Sequence, residues 1–350
     1  MAGSIITSAS LLLGSVNPDT LSENFWRRRL EYNAFGQNKL AAYIPDRTFV
    51  RFPYIVDSGN VPIAGRLEQY AQSGVLLWAE DLTGISRGVA VDPRNGDIVA
   101  ATFADENDNT LHKFDKDGNH KWSIEGFQSP RAVTVSSDDG SIFVCGIGAP
   151  PVKYDENGNE VFVADPIAVF DSEDDYASVA VDPTDNSFVV TVYRTTVDSR
   201  AGVIRYNANG TIAWEDADMI GYSVAIDPDT RAIYAVGVGE PTFDAPSTRK
   251  YTPAGSIDWS WMSNDHYVDV EFDPDENAIY LIGLRSVASS PFYALVKITA
   301  DGSSITQHFP QGVRGFSCIA LGAEPVLYPN DATVAEVLGT SAAVNWRPVG

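Results

Sequence analysis

The stretch "HKFDKDGNHKW", residues 112–122, is written repeatedly along this chain. It returns as "EQYAQSGVLLW" (68–78), "VKYDENGNEVF" (152–162), "IRYNANGTIAW" (204–214), "RKYTPAGSIDW" (249–259) and, in a worn form, "VKITADGSSIT" (296–306). Each copy runs from an apolar alternation through a polar turn with glycine into a second strand-like stretch. Asp-Lys-Asp-Gly and Asp-Glu-Asn-Gly are hairpin turns, because Gly and Asn accept positive φ. The glycines Gly74, Gly118, Gly158, Gly210, Gly255 and Gly302 lie 40 to 52 residues apart. Four residues after the glycine stands Trp78, Trp122, Phe162, Trp214 or Trp259. A large aromatic at one fixed register calls for one fixed pocket, so these five are read as structural docking residues against the neighbouring repeat.

A second phrase interleaves with the first: "GVAVDPRNGDIVAATF" (88–103), "AVTVSSDDGSIFVCGI" (132–147), "SVAVDPTDNSFVVTVY" (178–193), "SVAIDPDTRAIYAVGV" (223–238) and "DVEFDPDENAIYLIGL" (269–284). Each is a strand, a tight turn and another strand. Asp-Pro at 92–93, 182–183, 227–228 and 273–274 opens the turn, since proline fixes φ and removes a ladder donor. A degenerate sixth copy is "GFSCIALGAEPVLYP" (315–329).

One repeat is thus four strands in about 45 residues, the period of a β-propeller blade. The series opens on an outer hairpin (66–80) and ends on an inner one (316–328). Joined, these two halves make one blade from both ends of the chain and remove free sheet edges. The expected fold is all-β: a propeller over 65–329 with six blades, or seven if residues 40–64 supply further strands. The inner phrase "VAVDPRNGDIVAATF" resembles NHL-type propeller repeats, and Asp-x-x-Gly-x-x-x-Trp in 115–122 resembles the tryptophan-docking repeat of PQQ-type propellers. The resemblance covers about residues 66–328. It implies a fold rather than a function, because propellers host enzymes, adaptors and structural parts alike.

Residues 1–64 and 330–350 fall outside the repeat and are read as an N-terminal arm and a short C-terminal extension. Thr20 and Glu23 form a capping box for a helix over about 21–34, which Gly36 ends. Phe25, Trp26 and Leu30 give that helix an apolar side, and Arg27, Arg28 and Arg29 a charged one. A short amphipathic helix cannot bury its own stripe, so an assembly arm is expected that docks on the ring or on another subunit.

The formal net charge is −23, from 24 basic and 47 acidic residues. Phosphate contacts need a basic face, so nucleic acid and anionic membranes are discounted as partners. No run approaches the length of a membrane span. The start "MAGSIITSASLLLGS" lacks the basic region and cleavage site of a secretory signal. Cys145 and Cys318 each sit in an apolar strand-like run and read as core residues, not a disulfide framework.

The search for chemistry returns little. The four histidines, His112, His120, His266 and His308, show no metal-motif spacing, and G-x-S-x-G and phosphate loops are absent. "ADENDN" (104–109) places Asp105, Asn107 and Asn109 like the start of a calcium loop, without its glycine and distal Glu, and "DSEDDY" (171–176) is a second acidic patch. The first expectation is a non-enzymatic propeller, without cofactor, serving protein subunits of an assembly or a homo-oligomer. Its expected setting is a virus particle, as a tail, nozzle or capsid-associated protein. One alternative is a metal-dependent hydrolase or lyase of the sugar-lactonase-like type, using His266, Asp269, Glu271 and the acidic loops at 104–109 and 171–176. Another is a secreted glycan or protein binder that works through the connections at 104–110, 194–202, 239–247 and 285–291.

Overall fold

The computed structural model describes most of residues 40–308 and the strand backbones within 316–348; residues 1–39, 105–109, 168–174, 194–201, 239–245, 262–265, 309–315 and a few shorter turns lie outside that description. The helix expected over 21–34 and the calcium-like residues Asp105, Asn107 and Asn109 therefore fall outside the described residues. Everything described is strand and turn, and every strand pairing is antiparallel.

Both repeat phrases form hairpins, and together they make four-strand units. The second unit is Ile85–Val91, Ile98–Phe103, Thr110–Phe114 and His120–Glu125, paired in that order. The third is Pro130–Val135, Ile142–Gly146, Val152–Tyr154 and Glu160–Val163. The fourth is Asp175–Val181, Phe188–Tyr193, Gly202–Tyr206 and Ile212–Asp216. The fifth is Ile220–Ile226, Ile233–Val238, Thr248–Tyr251 and Ile257–Trp261. The sixth is His266–Asp273, Ala278–Val287, Ser290–Thr299 and Ile305–His308, tied to the fifth through Val238 opposite His266.

The two ends of the chain depart from the expected arrangement. The hairpin at 66–80 does not pair with 316–328. Instead Thr48–Arg51 pairs with the 68–71 part of Pro62–Ala71, Leu40–Tyr43 pairs with Thr48–Arg51, and Leu76–Thr83 pairs on the far side. Tyr54–Val56 adds a short strand along the other end of Pro62–Ala71. Residues 40–56 thus belong to the first sheet and not to an arm, because "LAAYIPDRTFVRF" supplies its own inner hairpin with Pro-Asp in place of Asp-Pro. At the other end Phe316–Leu321 pairs with Pro325–Pro329, and Ala335–Thr340 with Ala343–Pro348. Pro325–Pro329 lies beside Ala335–Thr340, so the segment read as an extension continues the pattern.

The first strands of consecutive units lie side by side from Leu40–Tyr43 through Phe316–Leu321, and the latter lies beside both His266–Asp273 and Leu40–Tyr43. The circuit is closed by neighbouring units, not by strand exchange. The apolar core is divided accordingly. One cluster joins Val99, Ala101 and Leu111 to Val133, Val144 and Tyr154 across the second and third units. Another joins Phe143 and Cys145 to Tyr176, Phe188 and Tyr206 across the third and fourth. A third joins Tyr234 and Val236 to Tyr267, Val270 and Leu281 across the fifth and sixth. Each unit is stabilised mainly by its neighbours, as in other repeat proteins.

Candidate interaction surface

The five docking aromatics sit on the outer flank, where one unit meets the next. Trp78 lies over Gly118, Trp122 over Gly158, Phe162 over Gly210, Trp214 over Gly255 and Trp259 over Gly302. A Cβ built on Gly118 would stand 2.7 Å from the Trp78 ring, and the turn needs φ +87° there, so glycine is required twice over. Each tryptophan also donates its indole N–H to the carbonyl two residues before that glycine. Trp78 reaches Lys116 at 3.2 Å, Trp122 reaches Glu156 at 3.3 Å, Trp214 reaches Pro253 at 3.1 Å and Trp259 reaches Ala300 at 3.2 Å. The outer phrase carries both halves of this contact, the ring and the platform.

A second constant layer is ionic, and the sequence reading missed it. In the second to sixth units the third strand carries a basic residue just before its aromatic or Ile, Lys113, Lys153, Arg205, Lys250 and Lys297, while the first unit has Gln69 there. Lys113 meets Asp97 at 3.2 Å, Arg205 meets Asp182 at 2.8 Å, Lys250 meets Asp258 at 2.8 Å, and Lys297 pairs with Glu276. Asp182 is fully buried and also accepts from Arg231 of the following unit at 2.6 Å, which ties the two hairpins together. Burial works against its charge, but hydrogen bonds from Thr184, Arg231 and Arg205 outweigh that and hold its carboxyl below the usual range. The recurring "K-F", "K-Y", "R-Y", "K-Y" and "K-I" pairs were the available signal.

The variable layer lies at the opposite end of the first strands, at the mouth of the ring. Each first strand from the second unit onward breaks register at one place, between Ser86 and Gly88, Pro130 and Ala132, Tyr176 and Ser178, Gly221 and Ser223, Tyr267 and Asp269, and Phe316 and Ile319. Those breaks are bulges, which bend a strand and re-aim its extra residue. Glycine makes room for the bend: a Cβ on Gly237 would stand 1.7 Å from the Ile220 carbonyl oxygen. In the second to sixth units the bulged residues are Arg87, Arg131, Ala177, Tyr222 and Val268, all half-buried. The Arg87 guanidinium lies 4.7 Å over the Phe103 ring. Tyr222 stacks on Tyr193, with centroids 4.9 Å apart and planes at 24°. Phe103 and Tyr193 both end their second strands, so cation–π and stacking contacts occupy one level of the mouth. Nothing in the sequence periodicity marks a bulge, which is why this layer was not read from it.

The remaining candidate residues are dispersed. His266 starts a first strand at this mouth, half-buried and paired with Leu284 and Val238. Asp269 is buried and accepts the Ser223 hydroxyl at 2.7 Å and the Val270 N–H at 3.0 Å, which ties the fifth unit to the sixth. Glu271 lies two residues further along, opposite Tyr280. His112 and His120 stand on an outer hairpin, both on the Ser123 hydroxyl at 3.0 and 2.7 Å. Burial, with His120 beside it, lowers the His112 imidazole to about 4. His308 ends an outer strand. Among the described residues no group of three or more His, Cys, Asp or Glu is placed to hold a metal ion. Phe25, Trp26, Arg27, Arg28 and Arg29 lie outside the described residues.

No protein-family model matches this sequence, and no curated protein does. Among solved structures, the β-propeller domain of Cps50 (Swd1) from Myceliophteria thermophila is similar in shape. The TM-score is 0.62 at 8% identity, over 88% of this chain and 94% of that one. The chain is a β-propeller. Its four-strand units are blades, its inner strands line the ring's axis, and its docking tryptophans seal one blade to the next. At this identity the likeness speaks for the fold alone, so function has to come from the surface.

Proposed function

We propose that this chain is a seven-bladed, non-enzymatic propeller that serves as a binding and assembly part, with the mouth of the ring as its contact surface for another protein. The carrying observation is the contrast within the inner strands. The bulge recurs at one register, while its residue changes from Arg87 and Arg131 to Ala177, Tyr222 and Val268. Arg and Tyr are the residue types that dominate protein contacts, and rigid strands present them with little ordering cost. Seven blades are supported by seven first strands in one circuit and by a further copy of the outer phrase, "EVLGTSAAVNW" (336–346), in which Val337 opposes Trp346 as Lys113 opposes Trp122. The formal charge of −23 disfavours a nucleic-acid partner and keeps the ring soluble at high density. A virus particle remains the setting we propose for it.

Native mass and composition of the protein purified from its source test this reading. Recovery in a particle of defined stoichiometry, lost when Arg131 and Tyr222 are replaced by Ala, is the expected result. A free monomer with divalent-metal-dependent hydrolase activity would overturn it.

A further inference from the structure

Three positions of the outer phrase lie six residues before the turn glycine, two after it and five after it. The first unit reads Glu68, Leu76 and Ala79 there, and the fourth Ile204, Ile212 and Glu215. The second unit has His112, His120 and Ser123, and no other copy of the phrase carries an imidazole at any of the three. A register shift brings the second unit's residues to one face of its hairpin. Lys113 stands opposite Trp122 but Phe114 opposite His120, so Lys121 is the extra residue. His120 and Ser123, three apart, therefore share a face, which strict alternation would forbid. His112 stands directly opposite Ser123. Its Nδ1 lies 3.0 Å from the Ser123 hydroxyl oxygen, and the His120 Nε2 lies 2.7 Å from the same atom. The two ring centroids are 6.4 Å apart, and His120 is held edge-on to the buried Phe114 at 5.4 Å. Imidazole nitrogens from two strands thus converge on one point, where His120 and Ser123 are exposed.

The hydrogen bonds behind His112 set its tautomer. Thr102, fully buried on the second strand, gives its hydroxyl proton to the Thr110 carbonyl at 3.3 Å. Its oxygen is then left to accept from the His112 Nε2–H, 3.4 Å away. That tautomer aims the Nδ1 lone pair at Ser123. Metal-ligating histidines are oriented in this way, by the N–H that they donate behind them. Two neutral imidazoles and a hydroxyl suit zinc or copper, whereas calcium and magnesium call for carboxylate and carbonyl oxygens. We propose that His112 and His120 bind one divalent transition-metal ion, zinc or copper, which replaces the Ser123 hydroxyl as the link between their ring nitrogens. The ion clamps the third strand of the second blade to the fourth and leaves coordination positions open to water. Only the exposed His120 ring has to turn for both nitrogens to reach the about 2.1 Å of such bonds. The proton displaced from its Nε2 passes to Nδ1 of the same ring, so both ligands stay neutral. The site lies on the outer flank and does not depend on the reading of the mouth.

The test uses the full chain without a polyhistidine tag and the metal ions alone. Titration with Cu2+ should saturate at one ion per chain, and its electron spin resonance spectrum should show coupling to two imidazole nitrogens. Zn2+ should compete for the same site and raise the melting temperature, while Ca2+ and Mg2+ should do neither. Because His120 is exposed, His120→Gln leaves the fold intact, and it should weaken zinc binding at least tenfold and abolish the melting shift. Replacing both His266 and His308 by Gln removes the other two imidazoles of the chain and should leave binding as it is. No saturable binding, unchanged affinity in His120→Gln, or affinity lost in the His266 and His308 double variant would overturn the inference. Calcium binding as tightly as zinc would overturn it too.

Discussion

The outer flank of the ring and its inner mouth are built from the same repeats, yet they behave in opposite ways. On the flank the repeats agree. Trp78, Trp122, Trp214 and Trp259 each cover a glycine of the next blade and donate to the carbonyl two residues before it. At the mouth they share a backbone feature, the bulge, and disagree about what to place on it. A position that must satisfy a neighbouring blade cannot drift without breaking the seal between them. At the rim the contact itself changes from blade to blade, Arg87 over Phe103 of its own blade and Tyr222 on Tyr193 of the blade before, so the side chain can vary while the bulge stays.

That contrast can be broken most forcefully at the hairpin acids. Asp182 is fully buried between Arg205 and Arg231. Asp182→Ala leaves a buried guanidinium without its carboxylate and should lower stability by about 4 kcal/mol. A loss below about 1 kcal/mol in denaturant melts would show that the ionic layer is ornamental.

The docking turns come next. Trp214 is half-buried, so Trp214→Ala should cost about 3 kcal/mol, at the low end for large aromatics. Trp214→Phe keeps the ring over Gly255 and loses only the 3.1 Å bond to Pro253, so about 1 kcal/mol is expected. Equal losses for both would place the energy in the hydrogen bond and not in the packing.

A smaller effect should appear with pH. His112 is held near 4 in the folded chain by burial and by His120, below an ordinary histidine. Its stabilisation is therefore complete above the unfolded value of about 6.5 and is lost as pH falls toward 4, because the unfolded chain binds the proton first. Melting should weaken between pH 7 and pH 5, and His112→Gln should flatten that slope by an amount on the order of 1 kcal/mol. An unchanged slope in the variant would assign it to other groups. The lowered carboxyls of Asp182 and Asp185, hydrogen-bonded to Thr184, Ser187 and Arg231 against the cost of burial, add to the loss only at still lower pH.

The smallest expected effect on stability lies at the mouth, and it sharpens the comparison. Tyr222→Ala removes one stacked face from Tyr193 and should cost about 1 kcal/mol or less. Partner affinity should fall at least tenfold in the same variant. A large stability loss with unchanged binding would move the mouth into the structural class.

What the amino-acid sequence determined by itself was the repeat: the hairpin turns, the blade period, and the aromatic-and-glycine register of the flank. These are local or strictly periodic, so a glycine with positive φ and a tryptophan four residues later can be read wherever they recur. Its closure of the ring by pairing 66–80 with 316–328 was mistaken for the same reason, while its provision that residues 40–64 could supply further strands fits the strands found at 40–56. "LAAYIPDRTFVRF" and "EVLGTSAAVNW" had lost the Asp-Pro and Gly signals on which the reading relied, while their strands still pair. Only the tertiary structure decided how the circuit closes, which acid each third-strand cation meets, and where the bulges turn Arg87, Arg131 and Tyr222 to the mouth. Closure depends on which strands lie side by side after hundreds of residues. A bulge depends on register between two strands, and a single strand's sequence carries no register until its partner is beside it.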